Sequence, residues 1–237
     1  MRALSFIKEA ALNLFFPKFC LSCQREGNYL CQDCFSTLDI LEYQYCLCRK
    51  AQRLTRVGKC KFCYRKKLNG LYFATGYQSQ LLKKLIHQFK YEPYVKELAE
   101  ALASLIITHF KLSSKIPQFN QGWILMPIPL SVKREKKRGF NQAKEISKEL
   151  SRKINLPLVN DTLFKTKETL PQVELEEKSR MENPQGAFAV KNKEYIKDKK
   201  ILLVDDVYTT GATMEEAARV LKEAGAKEVW GVVIARG

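Results

Sequence analysis

The pattern of apolar and polar positions changes near residue 64, and beyond it short apolar runs alternate with segments of helical period. This alternation predicts an α/β fold. The clearest unit begins with a nearly all-apolar run at 200–204, which is typical of a buried central strand in a parallel sheet. A loop, a helix and a further strand follow it. The predicted strands cover 71–77, 123–127, 200–204 and 229–234, and the predicted helices cover 80–89, 95–110, 140–153 and 214–223.

The first seventeen residues form a segment with a helical pattern of its own. Leu4, Ile7, Ala11 and Leu14 recur at helical spacing, and Pro17 ends the segment. Two charges interrupt the apolar stretch, which is too short to cross a bilayer and lacks the cleavage site of a secretory signal. We therefore expect a packing helix over 1–17, with contact to a membrane or a partner as the alternative.

All eight cysteines lie between positions 20 and 63, in four closely spaced pairs. Disulfide-rich proteins are usually secreted, so the missing secretory signal favours metal binding by these cysteines. We therefore expect the protein in the reducing cytoplasm, with the inner face of the membrane as the alternative location. Two thiolates two residues apart can chelate one ion, and two such pairs complete the four-thiolate shell of structural zinc. Four pairs therefore predict two zinc ions. Eight buried or redox-active cysteines without metal are the alternative.

Pairing between neighbours predicts a double zinc ribbon over 18–68, followed by an α/β domain over 69–237 that is expected to fold without it. Cross-braced pairing stays open. The third pair is the weakest, because it is one residue shorter than the usual knuckle. The two expected ligand sets are Cys20, Cys23, Cys31 and Cys34, and then Cys46, Cys48, Cys60 and Cys63.

The chain of 237 residues is strongly basic, with 41 Lys and Arg against 25 Asp and Glu and a net charge of +16. A surplus of this size usually meets phosphate, in nucleic acid, nucleotide or anionic lipid. Most of the surplus lies in two segments, 1–70 and 131–155. A charge run can also be an ordinary solvated face, so the charge alone does not name a partner.

The segment 205–213 carries the clearest candidate chemistry. Two carboxylates follow a buried strand, and hydroxyls and a glycine come next, at the start of a helix. Ligands of open α/β sheets bind at this edge, where a helix N-terminus can hold a phosphate and carboxylates can accept hydrogen bonds from a ribose diol. This pattern predicts a holder for ribose 5-phosphate, with an ordinary strand-end turn and helix cap as the alternative. The segment lacks the lysine of a Walker A loop and the spacing of GxGxxG.

The segment ILLVDDVYTTGAT, at 201–213, resembles the phosphoribosyl pyrophosphate signature of type I phosphoribosyltransferases. Three further segments narrow the resemblance to one group within this family: LIHQFKY at 85–91, PIPLS at 127–131 and RGFNQA at 138–143. With the cysteine pairs in front, the whole chain is similar to ComF-type competence proteins, which are related to amidophosphoribosyltransferase. The resemblance implies a parallel sheet of the type I phosphoribosyltransferase kind with helices on both faces, preceded by a small zinc-binding module.

The same resemblance implies roles for individual residues. Asp205 and Asp206 would hold the ribose hydroxyls, directly or through Mg²⁺. The pyrophosphate would bind a loop that includes Pro129 and Leu130, with Arg134 as countercharge. A mobile loop from 165 to 180 would close over the substrate through Lys165, Gln172 and Arg180. The 5-phosphate would bind Thr209, Thr210, Gly211, Ala212 and Thr213.

Two functions of different classes follow from these features. The first is a competence protein that binds incoming single-stranded DNA and works with a helicase or DNA-translocation machinery, its phosphoribosyl pyrophosphate site being ancillary. The second is an active phosphoribosyltransferase with an unknown nitrogen acceptor. Aromatic residues among the basic ones of the cysteine segment favour the first, although small zinc domains also need aromatics as core. His87 and His109 are expected to be packing residues.

Overall fold

The computed structural model describes residues 17–55, 58–114, 119, 122–167 and 184–237. The predicted N-terminal helix over 1–17, except its last residue Pro17, lies outside the described residues, as do the predicted contacts Gln172 and Arg180. None of the described helices combines the length and apolar composition that crossing a bilayer requires.

A four-stranded parallel sheet forms the centre of the molecule, with strand order β1-β6-β5-β2. The two middle strands are almost fully buried, as the apolar runs in their sequences predict. A separate antiparallel hairpin, β3–β4, was not predicted, because each of its strands has only three residues. The strands are β1 (Gly70–Gly76), β2 (Trp123–Pro127), β3 (Leu163–Lys165), β4 (Phe188–Val190), β5 (Lys200–Tyr208) and β6 (Glu228–Arg236).

Six α-helices lie among the described residues, and four of them match predicted helices. The short helix α4 was not predicted: none of its seven residues is buried, so apolar periodicity could not reveal it. Gly139 ends it in the left-handed conformation, with φ of 76°. The helices are α1 (Gln32–Ser36), α2 (Gln80–Lys90), α3 (Leu98–Leu112), α4 (Val132–Arg138), α5 (Gln142–Ile154) and α6 (Ala212–Glu223).

Helices cover both faces of the sheet, as expected for this fold class. On one face Leu85 of α2, Ile106 of α3 and Leu150 of α5 share a core with alternate residues of the central strands. On the other face Leu221 of α6 packs with the remaining strand residues and with Phe188 of the hairpin. The two cores bury most large apolar side chains of the described chain and hold the strand ends in fixed positions.

The cysteine-rich segment wraps around the edge of the sheet at β1. The amide of Leu41 donates to the carbonyl of Ala74 at 2.8 Å, and Tyr45 forms an antiparallel bridge with Leu71. As a result Cys20 joins the core on the α2 side, whereas Cys63 joins the core on the α6 side. The division at residue 68 stays a proposal, and the two parts share both hydrophobic cores.

Candidate functional site

A cavity of about 390 Å³ opens at the carboxyl ends of β2 and β5, between α2 and the N-terminus of α6. Ligands of parallel α/β sheets bind at this edge. The cavity brings together residues that are far apart in sequence. Of the predicted site residues, it is lined by Pro129, Leu130, Arg134, Lys165, Asp205, Asp206, Thr209, Gly211 and Thr213.

The two carboxylates lie inside β5, because the strand continues to pair with β6 as far as Tyr208. The predicted strand ended at 204, which would have left both carboxylates in the loop that follows it. Asp206 is nearly buried and receives the ammonium of Lys90, whose Nζ lies 3.0 Å from Oδ1 and 2.8 Å from Oδ2. Asp205 accepts a hydrogen bond from the amide of Asp206 at 2.9 Å. The two carboxylates that line the cavity therefore have different hydrogen-bond partners: Asp206 contacts the ammonium of Lys90, and Asp205 contacts a backbone amide.

The protonation of this pair is asymmetric. Burial, and then the negative charge of Asp206, raise the pKa of Asp205 from its ordinary value of 3.8 to about 7. Burial lowers the pKa of Lys90, but the charge of Asp206 and its hydrogen bond outweigh this effect and leave the pKa above its usual value. Lys90 is thus a cation near neutral pH, while Asp205 is poised to lose a proton.

The loop before α6 begins the helix with a glycine in place of a capping side chain. Gly211 caps the helix with φ of 80° and has no side chain to occupy the first-turn amides. A Cβ at this position would also overlap the ring of Tyr208, so only glycine fits. The amides at the helix N-terminus and the positive end of the helix dipole suit a phosphate.

The opposite wall of the cavity carries the cations of α4. Arg134 and Arg138 line the cavity, whereas Lys133, Lys136 and Lys137 on the same helix are exposed. Arg138 is held in place by a hydrogen bond from Nη1 to Gln142 Oε1, of 3.0 Å. Helix α4 therefore presents one cationic edge to the cavity and another to solvent.

The cysteines gather into two clusters made of sequence neighbours. The sulfurs of Cys20, Cys23, Cys31 and Cys34 all lie within 4.8 Å of one another, as do those of Cys46, Cys48 and Cys60. Cys63 completes the second cluster, with its sulfur 3.1 Å from that of Cys48. Each cluster could hold a metal ion, and the neighbour pairing expected from the sequence is the arrangement present. The short third pair takes part in it.

Comparison with known proteins agrees with this geometry. The phosphoribosyl transferase domain family matches residues 136–237. Competence protein F of Haemophilus influenzae is 28% identical over 226 residues, which cover 92% of this chain and 97% of that protein. Competence protein ComFC of Bacillus subtilis is 31% identical over 207 residues, which cover 83% of this chain and 79% of the relative. The chain belongs to the ComF family. DNA utilization protein YhgH of Escherichia coli is also similar, with 30% identity over 151 residues, 63% of this chain and 65% of that protein.

Two predicted phosphate-loop residues of this ComF protein face elsewhere. Thr210 and Ala212 line a second cavity of about 390 Å³, which α6 shares with Arg65, Lys66 and Lys67. The loop before α6 therefore forms a wall of both cavities. The second cavity carries basic residues from the segment after Cys63.

Sequence reasoning missed the contribution of α2 to the site. Lys90 lies in the LIHQFKY segment, but no local pattern reveals that its partner is Asp206, 116 positions later. The expectation for His87 was wrong: it is exposed and lines the cavity, because the buried face of α2 is formed by Leu82, Leu85, Ile86 and Phe89. His109 is a packing residue as expected, buried with Nδ1 2.5 Å from the carbonyl oxygen of Leu41.

Proposed function

We propose that this ComF protein binds phosphoribosyl pyrophosphate with Mg²⁺ in the cavity and handles single-stranded DNA on its basic surface during DNA uptake. The observation that carries the proposal is the convergence of Asp205 and Asp206, the loop before α6, and Pro129, Leu130 and Arg134 on one cavity. Relatives named for competence and DNA utilization support the biological setting. A competence helicase or translocation machinery is the partner class that fits this role.

Each group of the ligand has a matching part of the cavity. The 5-phosphate would accept hydrogen bonds from the amides at the start of α6, with hydroxyls of Thr209 and Thr213 beside them. The ribose hydroxyls would donate to Asp205 and Asp206. The pyrophosphate would bind the backbone after β2, near Arg134. In this assignment Thr210 and Ala212 contribute through their backbone.

Mg²⁺ would enter with the pyrophosphate and neutralise its charge. The oxygens of Asp206 are already engaged by Lys90, so Asp205 is the carboxylate that fits a ligand-bound cation. Its raised pKa reflects burial next to Asp206, and an added positive charge would favour its ionised form. Mg²⁺ and Asp205 are therefore expected to bind the ligand together.

The two cysteine clusters fit zinc. Each supplies sulfur ligands at the reach of one ion, and a tetrathiolate zinc centre carries net negative charge. Arg236 supplies the matching charge at the second cluster: it is buried, donates to the carbonyls of Cys46 and Cys48, and has no carboxylate partner among the described residues. A buried cation of this kind needs negative charge nearby, which the thiolates would provide.

An exposed aromatic patch beside the second cluster supports DNA binding. We define it as Lys61, Phe62, Tyr64 and Arg65. Phe62 is 73% exposed and Tyr64 64% exposed, and each has a cationic neighbour above its ring. Exposed rings among cations are the usual means by which proteins stack the bases of a single strand while contacting its phosphates.

Helix α4 allows the DNA role to be separated from the pocket. Replacing Lys133, Lys136 and Lys137 with alanine should flatten the plot of log affinity for single-stranded DNA against log salt by about two units, since each phosphate contact contributes a slope of about −0.7. Binding of phosphoribosyl pyrophosphate should be unchanged, because these three side chains are exposed and outside the cavity lining.

The matched control removes the same charge from another surface, through Lys193→Ala, Lys197→Ala and Lys199→Ala, all of which are exposed. Equal flattening in both triple variants would show that only net charge matters and would contradict a DNA site on α4.

A second candidate function is an active phosphoribosyltransferase. It is favoured by Lys165, which lines the same cavity as Asp205 and Asp206. Lys165, Gln172 and Arg180 would then contact the substrate, and Mg²⁺ would stabilise the departing pyrophosphate. Release of pyrophosphate in the presence of a panel of bases, amines and DNA tests this function. No release with any acceptor would leave binding as the role.

A further inference from the structure

We propose that the second cysteine cluster, when it holds zinc, positions the loop before α6 through Glu215 and Tyr208. The cluster lies on the α6 side of the sheet, where Cys63 and Tyr208 belong to the same core. Two separate sets of contacts join the cluster to the loop. Glu215 and Tyr208 are thus positioning residues, and the consequence for ligand affinity rests on the proposed phosphate site.

The first connection runs along the segment after Cys63 to the first turn of α6. The amide of Lys66 donates to the carbonyl of Cys63 at 3.0 Å, which ties this segment to the cluster. The amide of Lys67 then donates to Glu215 Oε2 at 2.7 Å. The amide of Glu215 in turn donates to the carbonyl of Gly211 at 2.9 Å and closes the first turn. A movement of the segment after Cys63 therefore moves the residue that closes this turn.

The second connection runs through Arg236, at the end of β6. Its buried guanidinium donates to the carbonyl of Cys46 at 2.6 Å and to that of Cys48, and it lies 5.4 Å from the centroid of the Tyr208 ring. The ring of Tyr208 is buried and packs so closely on Gly211 that no side chain fits there. The Tyr208 hydroxyl has no hydrogen-bond partner among the described residues, so the ring acts on the loop by packing.

One zinc ion would fix both connections where they begin. The four sulfurs of the second cluster lie close enough together to bind one ion. Cys46 and Cys48 supply the carbonyls that Arg236 contacts, whereas Cys63 begins the segment that leads to Glu215. Because a single ion binds all four cysteines, its loss should loosen both connections together.

The first cysteine cluster provides a matched comparison within the same chain. It lies beside α2, where Lys84 Nζ donates to the carbonyl of Leu21 at 2.6 Å. Cys20 belongs to the core on the face of the sheet opposite α6. Loss of zinc from the first cluster should therefore leave the loop before α6 in place.

Hydrogen exchange of the full chain, measured by NMR without any ligand, tests the positioning directly. In Cys63→Ser, the amides that close the first turn of α6, beginning with that of Glu215, should exchange about tenfold faster or more. This acceleration should exceed that of the β5 amides at 201–204, which report on the stability of the whole sheet. In Cys20→Ser, any acceleration should be no larger in the first turn of α6 than in β5.

Substitutions in α6 and β5 test the same connections with both clusters intact, and they decide the matter if Cys63→Ser does not fold. Glu215→Ala removes the acceptor of the Lys67 amide and should speed exchange in the first turn about three- to tenfold, the range for one lost hydrogen bond, at unchanged zinc content. Glu215→Gln keeps an acceptor oxygen and should restore most of the protection. Tyr208→Leu removes the ring and should act like Glu215→Ala, whereas Tyr208→Phe should not. The matched control is Glu223→Ala, in the last turn of α6, which removes only a partner of Arg219.

Ligand affinity gives a second readout. Phosphoribosyl pyrophosphate with Mg²⁺ should bind Glu215→Ala at least threefold more weakly than the wild type, and Glu223→Ala within twofold of it. The inference is overturned if Cys63→Ser and Cys20→Ser change exchange in the first turn of α6 equally, or if Glu215→Ala leaves that exchange unchanged. If the wild type does not bind phosphoribosyl pyrophosphate, the proposed phosphate site fails, while the exchange measurements still decide whether the cluster positions the loop.

Discussion

Replacing Asp205 with asparagine should stabilise the protein while removing its ligand affinity. The wild-type carboxyl has its pKa raised to about 7 by burial and by Asp206, so its charged form is costly in the folded state. Because its ordinary value is 3.8, the folded protein holds a proton between about pH 4 and pH 7 that the unfolded chain has released. Folding stability therefore falls as the pH rises through this window and then levels off above pH 7.

The size of the effect follows from the pKa difference of about three units. At about 1.4 kcal/mol per unit this is at most ~4 kcal/mol above pH 7, and solvent access to the half-buried side chain reduces it to about 2 kcal/mol. Asparagine carries no charge and keeps an oxygen that can accept from the amide of Asp206. At pH 8 we expect a rise in Tm of about 4–8 °C over the wild type, and at pH 4 almost none.

Asp206→Asn provides a control of opposite sign. It removes the partner of Lys90 and leaves an ammonium that is only 27% exposed without its carboxylate, so stability should fall by about 1–3 kcal/mol. Both variants should lose the rise in Tm that phosphoribosyl pyrophosphate with Mg²⁺ gives the wild type. Thermal unfolding at pH 4, 6 and 8 distinguishes the two substitutions. A fall in Tm with Asp205→Asn at pH 8 would refute the assigned asymmetry of the carboxylates.

Three further outcomes are expected. Elemental analysis should find two zinc ions per chain, and one zinc ion in the variants Cys20→Ser and Cys63→Ser; finding no zinc in the purified protein would contradict the metal assignment. Chelation of the zinc should lower the Tm of the whole chain, because the cysteines belong to both cores. Gly211→Ala should weaken phosphoribosyl pyrophosphate binding at least tenfold, because the added Cβ overlaps Tyr208 and forces the phosphate loop to move; unchanged affinity would argue against this loop. The double variant Phe62→Ala with Tyr64→Ala should weaken single-stranded DNA binding by about tenfold without changing the slope of log affinity against log salt. A changed slope, with unchanged affinity at low salt, would refute base stacking.

The parallel sheet and its main helices could be predicted from sequence, since the buried strands are short apolar runs and the amphipathic helices repeat at helical period. The loop before α6 and its place beside the two carboxylates could also be predicted, because carboxylates, hydroxyls and glycine are contiguous at 205–213. Both features are visible in short contiguous stretches of the sequence, without knowledge of contacts between distant residues. Resemblance to a known family then placed the loop after β2 in the same site.

Contacts between distant segments could not be predicted. The ion pair between Lys90 and Asp206 depends on the packing of α2 against the sheet, and nothing near either residue indicates it. The cysteine segment was expected to be a separate module, but its side chains enter both cores because the chain crosses the β1 edge at Leu41–Tyr45. Helix α4 also escaped prediction, since its exposed charges have no apolar period.

Calorimetric titration of the zinc-loaded chain with phosphoribosyl pyrophosphate and Mg²⁺ is the most direct test of the central claim that the cavity is a phosphoribosyl site. We predict one binding site per chain, affinity that increases between pH 6 and pH 8 as Asp205 loses its proton, and no detectable binding in the folded variant carrying Asp205→Asn and Asp206→Asn. Undiminished binding in that double variant, or no binding to the wild type at pH 8, would contradict the claim.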